Sequence, residues 1–167
     1  MYFNATTDHR SGSSKLPKNF WLTLQQFKLT MKDKLILIYL YTSPYTNRLG
    51  YVQCHPVDIA EELNKKIEDI YSSLKSLQKH NFIKIEKIQD FIYLPHYLEQ
   101  FPIKDKNQGK HIECLFNKLI ENFIENNFSS LMDLIFKLLK SDHLSRSFRK
   151  SLKELFYDLH KFMLGGE

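Results

Sequence analysis

HPVDIAEELNKKIEDIYSSLKSLQKHN, residues 55–81, reads as two short helices joined by a tight turn. Pro56 suits the first position of a helix, where its missing N–H has no intrahelical partner to lose. Val57, Ile59, Ala60 and Leu63 line the inner face of that first helix. Asn64-Lys65 makes the turn. From Lys66 to about Lys79, Ile67, Ile70, Tyr71, Leu74 and Leu77 recur at spacings of three and four, an amphipathic stripe, and His80-Asn81 stops it.

Outward from this pair, the flanks complete a pattern. Upstream, Thr30 and Asp33 form a capping box: the Thr hydroxyl accepts from the N–H three residues on, and the Asp reaches back. The helix that follows carries Leu35, Ile36, Ile38, Tyr39 and Leu40. It ends at Thr42-Ser43-Pro44, because proline pushes Ser43 out of helical geometry. A polar turn over 45–50 leads to a short strand, Tyr51 to Cys54. Downstream, Phe82, Ile83 and Ile85 begin a strand, 86–90 make a turn-sized link, and Phe91 to Leu94 return before Pro95. Helix, strand, two helices and a hairpin, in that order, predict a winged helix-turn-helix. The fold class expected is mainly α with a small β-ribbon.

The rest of the chain frames this module. Residues 1–15 show no helical or strand spacing and read as a disordered tail. Phe20, Trp21, Leu24 and Phe27 recur at helical spacing, with Trp21 expected as a core anchor. The winged-helix domain is assigned to 16–101 and a polar linker to 102–110. From 111 to 167 the pattern is wholly helical. Ile112, Phe116, Leu119 and Phe123 start it, a second capping box is read at Ser130 and Asp133, and Leu144 to Phe162 continue the stripe. Two to four helices are expected there, burying their faces on the winged domain or on another subunit.

Composition narrows the function. The chain has 167 residues, is 43% apolar with 13 Phe and 9 Tyr, and holds only 5 Gly and 5 Pro, which argues against disorder. A net charge of +5 permits nucleic-acid binding. Cys54 and Cys114 lack CxxC or zinc spacing and are expected as reduced, half-buried thiols in a cytoplasmic protein. No apolar run reaches the ~20 residues that span a bilayer, and the N-terminus has no signal-like h-region. The chain is therefore expected to be soluble and intracellular. No phosphate-binding glycine loop, metal-ligand cluster or paired nucleophile and base is visible, and the seven histidines are scattered. No cofactor and no enzymatic activity are expected.

A helix-turn-helix divides its faces: one docks on the domain, the other must be polar and lightly built to approach base edges and phosphates. The outward positions are read as Lys65, Lys66, Asp69, Ser72, Ser73 and Ser76, with Lys75 and Lys79 further on and Lys84, Lys87 and Gln89 on the wing. Short hydroxyls fit a groove wall, and lysines neutralise phosphates. Glu68 and Asp69 count against strong non-specific binding. A second basic cluster, with Arg146, Arg149, Lys150 and Lys153 on one helix face, is a candidate auxiliary DNA-binding surface. The competing explanation for either surface is a plain solvated helix face.

Phe20-Trp21, Lys34 through Tyr39-Leu40-Tyr41-Thr42-Ser43-Pro44-Tyr45-Thr46-Asn47, Gly50-Tyr51 and Ile59-Ala60-Glu61-Glu62-Leu63 resemble the N-terminal winged-helix domain of replication-initiation and replisome-organiser proteins of phages, plasmids and Gram-positive bacteria (DnaD-like). The resemblance covers about residues 16–100. It implies a domain that binds DNA or self-associates in replication initiation. In that family the C-terminal part contacts DNA or the replicative helicase, but the C-terminal helices here carry no signature of the helicase-loader domain. Double-stranded DNA and a second copy of the chain are the expected partners, a helicase a further one. A transcriptional repressor on the same scaffold, and a protein-binding adaptor or inhibitor without DNA contact, are the alternatives.

Overall fold

The computed structural model describes residues 16–86, 91–123 and 128–163. The tail 1–15 and Lys87 and Gln89, which the sequence places on a wing, lie outside the described residues, as do the side chains of Phe123 and Phe162. The described chain is mainly helical with a small antiparallel sheet. In order, it runs α1 (Phe20–Gln25), α2 (Met31–Thr42), β1 (Tyr51–Gln53), α3 (Pro56–Glu62), α4 (Ile67–Lys79), β2 (Lys84–Ile85) and β3 (Phe91–Tyr93). Then follow α5 (Tyr97–Gln100), α6 (Lys106–Phe123), α7 (Phe128–Leu139) and α8 (Arg146–Met163).

The local signals explain where these elements start and stop. The Thr30 hydroxyl accepts from the Asp33 N–H (3.2 Å) and the Asp33 carboxylate accepts from the Thr30 N–H (3.0 Å), the expected capping box of α2. Ser43 is extended before Pro44, and Pro56 opens α3. Two helix ends use left-handed asparagines. Asn64 (φ 49) closes α3 with the Lys65 N–H donating to the Ala60 carbonyl, and Asn81 (φ 58) closes α4 with Phe82 donating to Leu77. Gly50 (φ 83) turns the chain into β1 against Tyr97, where an added Cβ would stand 2.6 Å from the Tyr97 Cβ.

The sheet has the order β1-β3-β2, with Tyr51 opposite Tyr93 and Val52 opposite Ile92. The outer edge of β1 is covered by the Tyr45–Asn47 segment through a bridge at Thr46 and Val52, which leaves no bare edge there. Strand alternation divides the apolar residues between two cores. Val52, Ile92 and Leu94 join Leu37, Leu40, Ile59, Ile70, Leu74 and Leu77 from α2–α4. Tyr51, Phe91 and Tyr93 face the other way and join Ile112, Phe116, Leu134, Ile135, Leu138 and Leu152 from α6–α8. The molecule is therefore three layers: N-terminal helices, sheet, C-terminal helices. At about 1.5–3 kcal/mol for each fully buried aliphatic or aromatic side chain, burial on both sheet faces far outweighs any single polar contact between the layers.

Four expectations change here. Trp21 is 55% exposed, and Phe20 and Leu24 anchor α1 instead, with the Trp21 ring edge-on to Phe20 at 5.4 Å. The linker expected over 102–110 is helical from Lys106, and Gly109 is buried where α6 crosses the His143 backbone so closely that no Cβ fits. Ser130 and Asp133 do not cap a helix, because α7 has already begun at Phe128. They accept hydrogen bonds from the sheet tyrosines instead: Tyr51 to Ser130 (3.1 Å) and Tyr93 to Asp133 (2.9 Å). Of the two thiols, Cys54 is buried and Cys114 is exposed.

Candidate nucleic-acid interface

α4 is positioned by what its inner face touches. Ile70, Leu74 and Leu77 are buried against α2 and α3. Beside them, on the same side of the helix, Ser73 is only 3% exposed. It is not an outward residue: its hydroxyl reaches the Asp33 carboxylate on α2. Ser76 is half-buried and donates to the same carboxylate (3.1 Å). Asp33 thus holds the α2 N-terminus and two points on α4. Its burial opposes ionisation, but hydrogen bonds from Ser73, Thr30 and Ser76 outweigh that and keep its carboxyl below the ordinary aspartate value. The two serines expected to meet DNA instead fix the roll of α4 about its own axis.

Asp69 is likewise spoken for. It pairs with the Lys32 ammonium at 2.7 Å, which lowers its pKa, with Lys66 and Lys65 adding smaller effects. Glu68 and Asp69 both lie in the first turn of α4, where the helix dipole favours negative charge. That placement gives the acids a structural role.

With the roll fixed, the outer face of α4 is Glu68, Tyr71, Ser72, Lys75, Gln78 and Lys79, spaced three, one, three, three and one apart. All six are exposed, as are Lys65 and Lys66 in the preceding turn. Tyr71, read in the sequence as part of the buried stripe, is 54% exposed. The sequence reading thus missed Tyr71 and Gln78. Tyr71 lies four residues before Lys75 and Gln78 three after it, which places all three on one face. Lys84 is half-buried on β2 beside the buried Glu86, whose carboxyl is pushed up by burial against weaker opposing pulls from Ser130 and Lys84. Lys87 and Gln89 lie outside the described residues.

The second basic cluster separates as well. Arg149 turns back to the α7–α8 connection, donating to the Ser141 carbonyl through Nε (3.0 Å) and pairing with Asp142 (2.8 Å). Arg146, Lys150 and Lys153 stay exposed on α8. Lys137, 9% exposed at its side chain, is held by Asp133 (2.9 Å), Glu99 (3.5 Å) and the Pro95 carbonyl, so it ties α7 to α5. It borders an open cleft of about 360 Å³ between α5 and the α7–α8 connection, lined by Leu98, Pro102, Ile103 and His143 among others. Among the described residues no group of three or more acids, histidines or cysteines is placed to hold a metal, and no helix is long and apolar enough to cross a membrane.

No family model, curated protein or solved structure matches this chain.

Proposed function

We propose that this chain is a DNA-binding protein that lays the outer face of α4 in the major groove of a duplex. The observation that carries the reading is that face itself: six exposed residues mixing hydroxyl, amide, carboxylate and ammonium groups, on a helix whose roll is locked from behind by Asp33. Glutamine, serine and tyrosine offer donors and acceptors to base edges, and Glu68 offers an acceptor for a cytosine amine. Lys65, Lys66, Lys75 and Lys79 neutralise phosphates on either side. The order helix, strand, helix, helix, strand, strand, with the sheet order β1-β3-β2, supports a winged helix-turn-helix. The C-terminal layer packs on the opposite face of the sheet, so the chain's described tail leaves the α4 surface open.

The resemblance to replication-initiation domains supports a role in starting replication of a phage or plasmid in the cytoplasm, with the wing residues Lys87 and Gln89 adding contacts. A repressor on the same scaffold would use the same surface. The wide C-terminal stripes pack on the chain's own sheet, which favours the DNA reading over a protein-binding adaptor.

The test is duplex affinity against salt. A groove binder loses affinity with a log–log slope of about −0.9 per phosphate contact. Lys75→Glu with Lys79→Glu should weaken binding and flatten that slope by about 1.8. A flat salt response in the unaltered chain rejects the reading. Footprinting then separates a repeated origin array from one palindromic operator.

A further inference from the structure

We propose that α8 carries a second nucleic-acid surface, a basic stripe that takes a single strand by its phosphates and stacks a base on Tyr157. This goes beyond the duplex reading of α4 and does not rest on it.

The stripe follows from how α8 is buried. Phe148, Leu152 and Leu159 are in the second core, with Leu155 and Phe156 packed against it. The opposite face therefore presents Arg146, Lys150, Lys153, Tyr157 and Lys161, spaced four, three, four and four, in one line. The helical rise places them at roughly 0, 6, 10, 16 and 22 Å along the axis. Arg149 belongs to the α7–α8 connection and drops out. Glu154 and Asp158 lie to one side of the line. Glu154 comes within 3.7 Å of Lys150, but both are well exposed, and such a pair contributes little.

Tyr157 decides the kind of partner. Tyr157 is 69% exposed and stands between Lys153 and Lys161 on the cationic line. A ring so placed offers a face for stacking. Bases in a duplex are stacked on one another and closed to it, whereas a single strand presents them, and a cationic track with an aromatic platform is how such strands are held. A lipid surface fits poorly, because the apolar face of α8 is committed to the core and only Tyr157 would enter the bilayer. α4 packs in the core on one side of the sheet and α8 in the core on the other. One molecule would then hold a duplex on one layer and a single strand on the other.

The experiment uses the full chain, a labelled oligothymidylate and a labelled duplex, with anisotropy as the readout. Tyr157→Ala should weaken oligothymidylate binding by about 5- to 100-fold, and Tyr157→Phe should keep it. Lys150→Glu with Lys153→Glu should flatten the single-strand salt slope by about 1.4. None of these exposed changes should alter duplex affinity or the circular dichroism. Lys75→Glu should spare the oligothymidylate. The proposal is overturned by an absence of oligothymidylate binding, by an unchanged affinity in Tyr157→Ala, or by unlabelled duplex displacing the single strand completely. It is also overturned if polyglutamate competes as well as oligothymidylate, because the stripe is then a generic cationic face. If Lys75→Glu and Lys79→Glu leave duplex affinity intact while Tyr157→Ala acts as expected, the α4 reading fails and this one stands.

Discussion

α4 and α8 are both amphipathic helices with lysines on their outer faces, yet they differ in what lies behind those lysines. Behind α4 stands Asp33, which binds two serines of the helix and sets its angle of presentation, while Lys32 neutralises an acid in its first turn. Behind α8 is an apolar seam with one arginine drawn off to the α7–α8 connection. The outer face of α4 mixes donors and acceptors; that of α8 is mostly cationic around a single ring. Lysines on an outer face therefore do not by themselves decide its use. On the proposed reading, a helix that reads base edges needs a fixed roll, and one that follows a phosphate chain does not.

The largest expected effect breaks the comparison at its hinge. Tyr51 lies between the layers, fully buried, with its hydroxyl on Ser130. Tyr51→Ala should destabilise the chain by about 3–5 kcal/mol in urea unfolding. Because both layers share one sheet, fluorescence and circular dichroism should report the same single transition. Two separated transitions would show that the layers fold apart.

Next is the roll lock. Asp33→Asn should destabilise by about 1–3 kcal/mol at neutral pH, by weakening the acceptor for Ser73, Ser76 and the Thr30 N–H. The folded carboxyl titrates below its ordinary value of 3.8. Its contribution is therefore complete above that value and drains away as pH falls through the folded pKa. The gap between the two proteins should close in acid. Duplex affinity should also fall in Asp33→Asn, although Asp33 itself is buried; an unchanged affinity would remove the need for a fixed roll.

Gly50→Ala should cost about 1–2 kcal/mol from the left-handed backbone alone, and more from the approach to Tyr97, as read from the melting temperature. The smallest effect has the opposite sign. Burial raises the Glu86 carboxyl, so its charge costs stability above the ordinary glutamate value of 4.5. Glu86→Gln should stabilise by under about 1 kcal/mol at neutral pH, with the gain fading as pH approaches 4. A loss of stability at neutral pH would mean that Ser130 and Lys84 hold the ion more firmly than burial opposes it.

Much of the fold was legible because its signals are local. The Thr30–Asp33 box, Pro44, Pro56 and the Ile70–Leu74–Leu77 spacing each act within a turn or two of chain. What was not legible depends on distance in space. Ser73 lies three residues from Ile70 and four from Leu77, so spacing hides it rather than Ser72, but its partner Asp33, forty positions earlier, is apparent only in space. Ser130 and Asp133 have capping-box spacing, but the helix starts earlier, and tyrosines from the sheet claim them. Phe91-Ile92-Tyr93-Leu94 has no polar alternation, the pattern of a strand covered on both faces, and that foretells a second layer. At the candidate site, the lysines were legible from composition and spacing. Tyr71, Gln78 and Tyr157 were not, because an aromatic or amide at helical spacing fits a core stripe and an open face equally well until a neighbour fixes the phase.

The doubly covered sheet also has a consequence in time. During synthesis Tyr51, Phe91 and Tyr93 leave the ribosome before any of the helices that will shelter them. At ~5–20 residues per second, the stretch from Phe91 to Leu159 takes roughly 3–14 s to emerge. For those seconds that flank of the sheet has none of its C-terminal cover.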